Sequence, residues 1–353
     1  MNREEIMDAF AELGVFFRLF GPTDSTEEKS KLYNVFYDAF TQVIQQAHIY
    51  NPWFSENFVR NAIYNWGKQL SKEKLLTWMS SYPEKKAKKA KKILVVMAGN
   101  IPLVGFHDML CVLLSGNIFI GKQSSKDKHL FPLISRILIH INSDFQNLIY
   151  WKEDVADDFD AIIATGSNQS HNYFVQYFSK YPHILRKNRN SVAVLSGQEK
   201  EEDINKLADD IFMYYGLGCR NVSKLLVPEN YDFTFFFSGI STYNFIINHN
   251  KYANNYEYHR TIFLLNKVAF FDNGFLNLKQ DKNIASPVGM LYYDYYNDIK
   301  KANRYLKEHA PDIQCIVALP DLCSGSVMFG STQEPALHEY ADGTDTMNFL
   351  LTL

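Results

Sequence analysis

Cysteine is scarce in this chain: Cys111, Cys219, Cys315 and Cys323 are spread through 353 residues with no CxxC pair among them. That spacing argues against a disulfide framework and against a cysteine-pair metal site; no metal is expected. Long apolar runs are missing too, and none approaches the roughly 18 residues that span a bilayer. No single sign of charge dominates, since the net charge is -3 and 21% of residues are charged, so nucleic acid has no obvious footing. The chain opens on Met1-Asn2-Arg3-Glu4-Glu5 without an apolar leader, and the expectation is a soluble cytoplasmic protein with reduced thiols. Internal repeats and low-complexity linkers are absent as well. What the chain has in quantity is aromatic: 27 Phe and 22 Tyr help bring the aromatic share to 15%, which suits apolar cores and a pocket for an apolar ligand.

The length is enough for two domains. Residues 1–92 read as a helical segment, with Ile6, Phe10, Val15, Phe16 and then Leu32, Phe36, Phe40, Ile44 at helical spacing. The segment ends in the basic run 85–92, read as a solvated helix end. From Ile93 the texture changes. Short apolar runs at 93–98, 117–122, 147–151 and 160–164 alternate with helical patterns, which predicts a parallel sheet with helices on its faces. Such sheets bind ligands at the carboxyl ends of their strands. This gives a Rossmann-like cofactor domain over 93–214 and a second α/β domain over 215–353, whose tail has the option of returning to the first. In the second domain strands are expected at 225–227, 262–265, 289–293 and 314–318, with helices near 232–248 and 298–307.

Cys219 stands in Tyr215-Gly216-Leu217-Gly218-Cys219-Arg220-Asn221, after a helix-like run and before the strand-like Lys224-Leu225-Leu226-Val227. Glycines there let a substrate approach the backbone, and peptide N–H groups beside the sulfur are placed to hold an oxyanion. This makes Cys219 a candidate nucleophile; the alternative is an inert buried thiol. Two further spots suit phosphate and ribose. Thr165-Gly166-Ser167-Asn168 closes a strand and opens a helix, where N–H groups receive a pyrophosphate or simply form a capped turn. Lys122 ends a strand ahead of Ser124 and Ser125.

Taken in chain order, these spots resemble the aldehyde dehydrogenase superfamily, and more closely its acyl-CoA reductase branch, typified by the LuxC fatty-acyl reductases. The resemblance runs from about residue 93 to the C-terminus. Ala98-Gly99-Asn100-Ile101-Pro102 is similar to the family's Trp-Asn-Phe-Pro segment, which implies that Asn100 helps bind the oxyanion. Gly121-Lys122-Gln123-Ser124-Ser125 is similar to its Lys-Pro-Ser-Glu loop, so Lys122 and Ser124 would face the adenosine ribose, and Gly166-Ser167 would lie under the pyrophosphate. Gly216-Leu217-Gly218-Cys219 falls where the family carries its catalytic thiol. The implied fold is aldehyde-dehydrogenase-like, and a homo-oligomer is implied too, although the family's dimerising hairpin is not recognisable. Phe329-Gly330-Ser331-Thr332 and Tyr340-Ala341-Asp342-Gly343 resemble the ends of LuxC-like chains; a surface loop and a terminal strand are expected there.

The departures bear on the reaction. Where oxidising members carry a Glu that activates water, this chain has Ile184-Leu185-Arg186-Lys187-Asn188-Arg189. Ser125 replaces the loop's Glu, with Lys126 and Lys128 nearby, which favours NADPH. A second family Glu appears as Asn283. The resemblance therefore implies NADPH-dependent reduction of an acyl-CoA or other acyl thioester to an aldehyde through acyl-Cys219, with a synthetase or transferase as possible acyl supplier. Reduction of an acyl phosphate, and cysteine-based acyl transfer without hydride, stay open. His107 and His259 are conceivable proton carriers, and the thiol is expected to be activated by a helix end or a cation such as the adjacent Arg220.

Overall fold

The computed structural model describes residues 1–21, 31–83, 89–154 and 158–353, so Lys85, Lys86 and Lys88 of the basic run lie outside the described residues. Two compact units emerge: Met1–Lys187 with Ala336–Leu353, and Asn188–Pro335.

The first unit begins with α1 (Arg3–Arg18), α2 (Tyr33–Tyr50), α3 (Glu56–Gln69) and α4 (Lys72–Met79). Asn2 and Glu5 close a capping box at the head of α1, satisfying amide groups that the first turn leaves without partners. Next come β1 (Lys92–Val96), α5 (Phe106–Leu114), β2 (Ile118–Lys122), α6 (Leu130–Ile141), β3 (Ile149–Lys152), β4 (Ala161–Thr165), α7 (Asn168–Phe178) and β5 (His183–Arg186). The five strands are parallel in the order β3-β2-β1-β4-β5. Alternate residues of β1 serve opposite faces. Ile93 and Val95 join the large core that holds Phe10, Phe17, Phe40 and Phe106, while Leu94 and Val96 join Phe174 and Phe178 of α7. Both faces are covered, which explains why the strands read as continuous apolar runs.

The second unit carries β6 (Asn190–Val194), α8 (Glu201–Phe212), β7 (Val222–Pro228), α9 (Phe233–Gly239), α10 (Asn250–Leu265), β8 (Phe271–Asp272), β9 (Asn277–Gln280), β10 (Met290–Tyr296), α11 (Ile299–Glu308) and β11 (Ile313–Ala318). Its sheet runs β11-β6-β7-β10-β9-β8, parallel except for the last pair. Ala302 and Leu306 of α11 cover one face on Val192, Val194 and Leu226.

Three expectations need correction. The strand expected at 262–265 is the last turn of α10, where Phe263 is buried while Leu264 and Leu265 face out. A four-residue apolar run has no length to separate strand from helix. The tail ends in a helix, α12 (Thr346–Thr352), in place of a terminal strand; Asp345 caps it by accepting the Asn348 N–H at 2.8 Å, and Met347 and Leu350 enter the first unit's core. The boundary set at 214/215 falls inside the second unit, because β6 pairs with β7 and β11 and α8 leads directly into β7. Among the described residues, no helix is long and apolar enough to cross a membrane.

Candidate active site

In the first unit the sequence-derived residues gather along one edge of the sheet. Val96 stands level with Lys122 on one side and with Ala164 on the other, so β2, β1 and β4 end together. Gly99 and Asn100 follow β1, Ser124 and Ser125 follow β2, and Gly166 and Ser167 follow β4. The chain winds outward from β1 through β2 to β3, then crosses back to β4, so this edge is the topological switch point of a doubly wound sheet. Asn100, Ser125 and Ser167 are exposed there, and Lys122 and Ser124 are half-buried.

The loops at this edge are held against one another. A Cβ added to Gly99 would come within 2.7 Å of the Ser124 Cβ, so only glycine lets these two loops meet. Asn51, buried in the helical segment, donates from Nδ2 to the Gly99 carbonyl at 3.1 Å. Asp127 accepts the Leu103 N–H at 3.3 Å, and Leu103 sits at φ 61°, a left-handed conformation that a leucine adopts only when its surroundings impose it. Burial pushes the Asp127 carboxyl up to about 7, with the Leu103 N–H pulling the other way. Asn51 and Asp127 carry no motif; only the folded chain shows that they brace the Asn100 loop. At the β4 end, Ser167 caps α7 by accepting the Ser170 N–H at 3.2 Å, which leaves an 11-residue helix pointing its amide-rich end at this edge. Glycine at strand ends, a serine-capped helix start and an exposed Ser125 flanked by lysines fit a dinucleotide.

The stretch 184–189, compared with the Glu segment of oxidising members, carries a buried ion pair. Arg186, fully buried, makes a two-pronged ion pair with Asp108 at 2.7 and 2.9 Å and also donates to Thr346 Oγ1 at 3.0 Å. This pair joins β5, α5 and α12 within the first unit. His107 is enclosed by Trp66, Trp78 and Tyr340, and its Nε2 lies 2.9 Å from the Leu337 carbonyl, so it holds the tail. That is a structural position, the role favoured for this residue over proton transfer. His259 lies on α10 against Tyr258 and Phe263, and burial lowers its pKa.

In the second unit, Cys219 is half-buried, whereas Cys111, Cys315 and Cys323 are buried. The thiol stands ahead of the amino end of β7, after the carboxyl end of α8. The chain reverses there through three successive left-handed residues: Tyr214 at φ 53°, Tyr215 at φ 59° and Gly216 at φ 74°. Non-glycine residues in that region cost about 1–3 kcal/mol each and persist only where the surroundings over-determine them. Here Tyr214 and Tyr215 are buried, the Tyr215 ring lies 4.2 Å from that of His249, and Asn221 ties the ends of the turn. Asn221 Nδ2 donates to the carbonyls of Asp210 at 3.1 Å and Met213 at 2.9 Å, and its Oδ1 accepts the Gly218 N–H at 2.8 Å. The Cys219 carbonyl accepts Ser191 Oγ–H at 3.1 Å, anchoring the turn to β6.

Two features bear on how the thiol is expected to be activated. The helix end beside Cys219 is a carboxyl end, whose carbonyls disfavour an anion. Arg220, adjacent in sequence, directs Nη1 to Cys315 Sγ at 3.3 Å. Asn283 is exposed, with its N–H on Asp281, in the loop before β10. Among the described residues, no group of three or more His, Cys, Asp or Glu is arranged to hold a metal ion.

The model of the acyl-CoA reductase (LuxC) family matches residues 48–234, more than half of this chain and a span that includes every residue from Asn100 to Cys219 discussed above. In solved structures, the chain is similar to aldehyde dehydrogenase 21 from Physcomitrella patens, with TM-score 0.67 and 12% identity, covering 100% of this chain and 84% of that one. It is similar to the NAD-dependent aldehyde dehydrogenase from Sinorhizobium meliloti (TM-score 0.64, 8% identity, 91% and 71% covered). A third is an NADP-dependent enzyme from E. coli (TM-score 0.62, 9% identity, 90% and 73% covered). These likenesses are of fold. No curated protein matches.

Proposed function

The chain belongs to the acyl-CoA reductase (LuxC) family, and on that footing we propose that it reduces an acyl thioester, acyl-CoA in the first instance, to the aldehyde with NADPH through an acyl-enzyme on Cys219. One observation carries the reading: of four thiols, Cys219 is the one that is not buried, and it sits on a strained turn that buried side chains hold in place. Strain retained at a half-exposed nucleophile is the pattern of a preorganised site.

In this reading the Cys219 thiolate attacks the thioester carbonyl carbon, the bond from that carbon to the CoA sulfur breaks, and CoA leaves as a thiolate that takes up a proton. By the family resemblance, Asn100 is the amide assigned to the oxyanion formed on the way. Gly166 and Ser167 at the head of α7 would hold the pyrophosphate of NADPH, Lys122 and Ser124 the ribose, and Ser125 with Lys126 and Lys128 the 2'-phosphate. When bound, NADPH would supply the hydride to the acyl carbon; the bond from that carbon to the Cys219 sulfur then breaks, which frees the aldehyde and returns the thiolate. The stretch 184–189 carries no carboxylate where oxidising members have their water-activating Glu, which favours reduction over hydrolysis. The aromatic-rich composition favours an apolar, fatty acyl group, which a companion synthetase or transferase would deliver.

The test is direct. Protein incubated with a long-chain acyl-CoA should release aldehyde and free CoA in equal amounts with NADPH, and no aldehyde without it. Acylation that persists unchanged when NADPH is added would point to acyl transfer and overturn the reductase reading.

A further inference from the structure

The way the Cys219 turn is held reaches far along the chain. At the carboxyl end of α8 the last carbonyls have no partners within the helix, and they face the side from which a thiolate or an oxyanion would be repelled. Asn221, 1% exposed, puts its amide on two of them, Asp210 and Met213, and fixes the Gly218 N–H with its oxygen. The Asn221 main-chain N–H goes to the Gly218 carbonyl at 3.0 Å, so Cys219 lies inside a loop closed by that one residue.

Asp210 continues the arrangement in the opposite direction. It lies in the last turn of α8, fully buried, where both desolvation and the helix dipole oppose a carboxylate. Burial pushes its carboxyl up to about 6, against the hydrogen bonds that favour the charge. The side chain receives three donors from one distant segment: the Gly330 N–H at 2.7 Å, the Thr332 N–H at 3.0 Å and Thr332 Oγ–H at 2.7 Å. Thr332 is itself fully buried. An apolar residue would satisfy this position more cheaply if packing were its only task. What a carboxylate adds is a fixed direction between α8 and the 330–332 segment.

We propose that Asn221, Asp210 and Thr332 form one brace of positioning residues for the Cys219 turn, so that residues more than a hundred positions downstream set how the nucleophile is presented. The inference rests on the reading of Cys219 as nucleophile, and it gives the Phe329-Gly330-Ser331-Thr332 segment a role.

Three variants test it in the full-length protein. Thr332→Val keeps the shape and removes the hydroxyl donor, Thr332→Ser restores that donor, and Asn221→Asp removes the amide donors while keeping the acceptor. Hydrogen exchange over residues 213–221 should quicken in Thr332→Val and Asn221→Asp and stay at the wild-type rate in Thr332→Ser. The kcat for acyl-CoA should fall roughly 10- to 100-fold in the first two with KM little changed, as expected for a misplaced reacting group. If Asn221→Asp fails to unfold cooperatively, the Thr332 pair decides. Wild-type exchange over 213–221 in Thr332→Val, or equal damage in Thr332→Ser, overturns the brace. Aldehyde formation that survives Cys219→Ala would instead sink the nucleophile reading, while the exchange data would still judge the brace on its own.

Discussion

The two units place chemistry at opposite ends of parallel strands. In the first, the candidate residues stand at the carboxyl ends of β2, β1 and β4, where a helix start presents amide donors of the kind that suit a phosphate. In the second, Cys219 precedes the amino end of β7, beside the carbonyl-rich end of α8. The first edge is favourable to anions by construction. The second is not, and its turn is fixed by side chains: Asn221 on the α8 carbonyls, Asp210 under the tail segment, and Ser191 on the Cys219 carbonyl. A ligand edge can thus come from topology, whereas the turn proposed to carry the nucleophile is tied by buried polar clamps.

Separate damage to each unit tests that contrast. The largest effect should come from Cys219→Ala, which is expected to lower aldehyde formation by on the order of 10³ or more while NADPH binding, followed by its fluorescence, is retained. Loss of NADPH binding would contradict the division of labour. Arg186→Met strands Asp108 as a buried charge and should destabilise the first unit by about 3–5 kcal/mol, seen as a lowered calorimetric transition; a double variant with Asp108→Leu should regain much of it. A change below 1 kcal/mol would mean that the pair behaves like a surface ion pair.

The pH dependence of the first edge turns on Asp127. Its folded carboxyl sits at about 7 against an ordinary 3.8, so the proton is held more tightly in the folded state. The stability this lends is present below about pH 4 and is lost as pH rises through 7. Wild type should lose up to about 4 kcal/mol relative to Asp127→Asn across that window, measured as denaturant midpoints from pH 4 to 8. Parallel curves would show that Asp127 carries no such shift. Gly166→Val puts its Cβ only 2.7 Å from Ser170 Cβ, and should weaken NADPH roughly tenfold while acylation of Cys219 without NADPH stays intact. Smallest is Ser125→Glu, expected to raise the KM for NADPH a few-fold and leave NADH alone; an equal effect on both would remove Ser125 from the 2'-phosphate site.

The same contrast explains what the sequence disclosed. Gly99-Asn100, Lys122 to Ser125 and Gly166-Ser167 were legible because each is a local signal: an apolar run, a glycine or serine, then a helical pattern. The Cys219 turn was legible as a glycine-rich break, but its clamps were not. Asn221 and Asp210 look like ordinary polar residues, and Thr332 acquires meaning only once the chain has brought it back under α8. The stretch 184–189 shows in sequence that it holds no carboxylate, yet the pairing of Arg186 with Asp108, on another element, has no hint in the spacing. Residues 262–265 misled for the opposite reason, since a short apolar run is compatible with a strand until the whole of α10 is seen.

The central claim is that Cys219 carries the acyl group on its way to reduction. The measurement that meets it most directly is a single turnover with labelled acyl-CoA, quenched before and after NADPH is added, with the label mapped by peptide. The account predicts one equivalent of label on the Cys219 peptide with release of one CoA, and its conversion to aldehyde once NADPH arrives. Label on another residue, or on Cys219 but indifferent to NADPH, would contradict it.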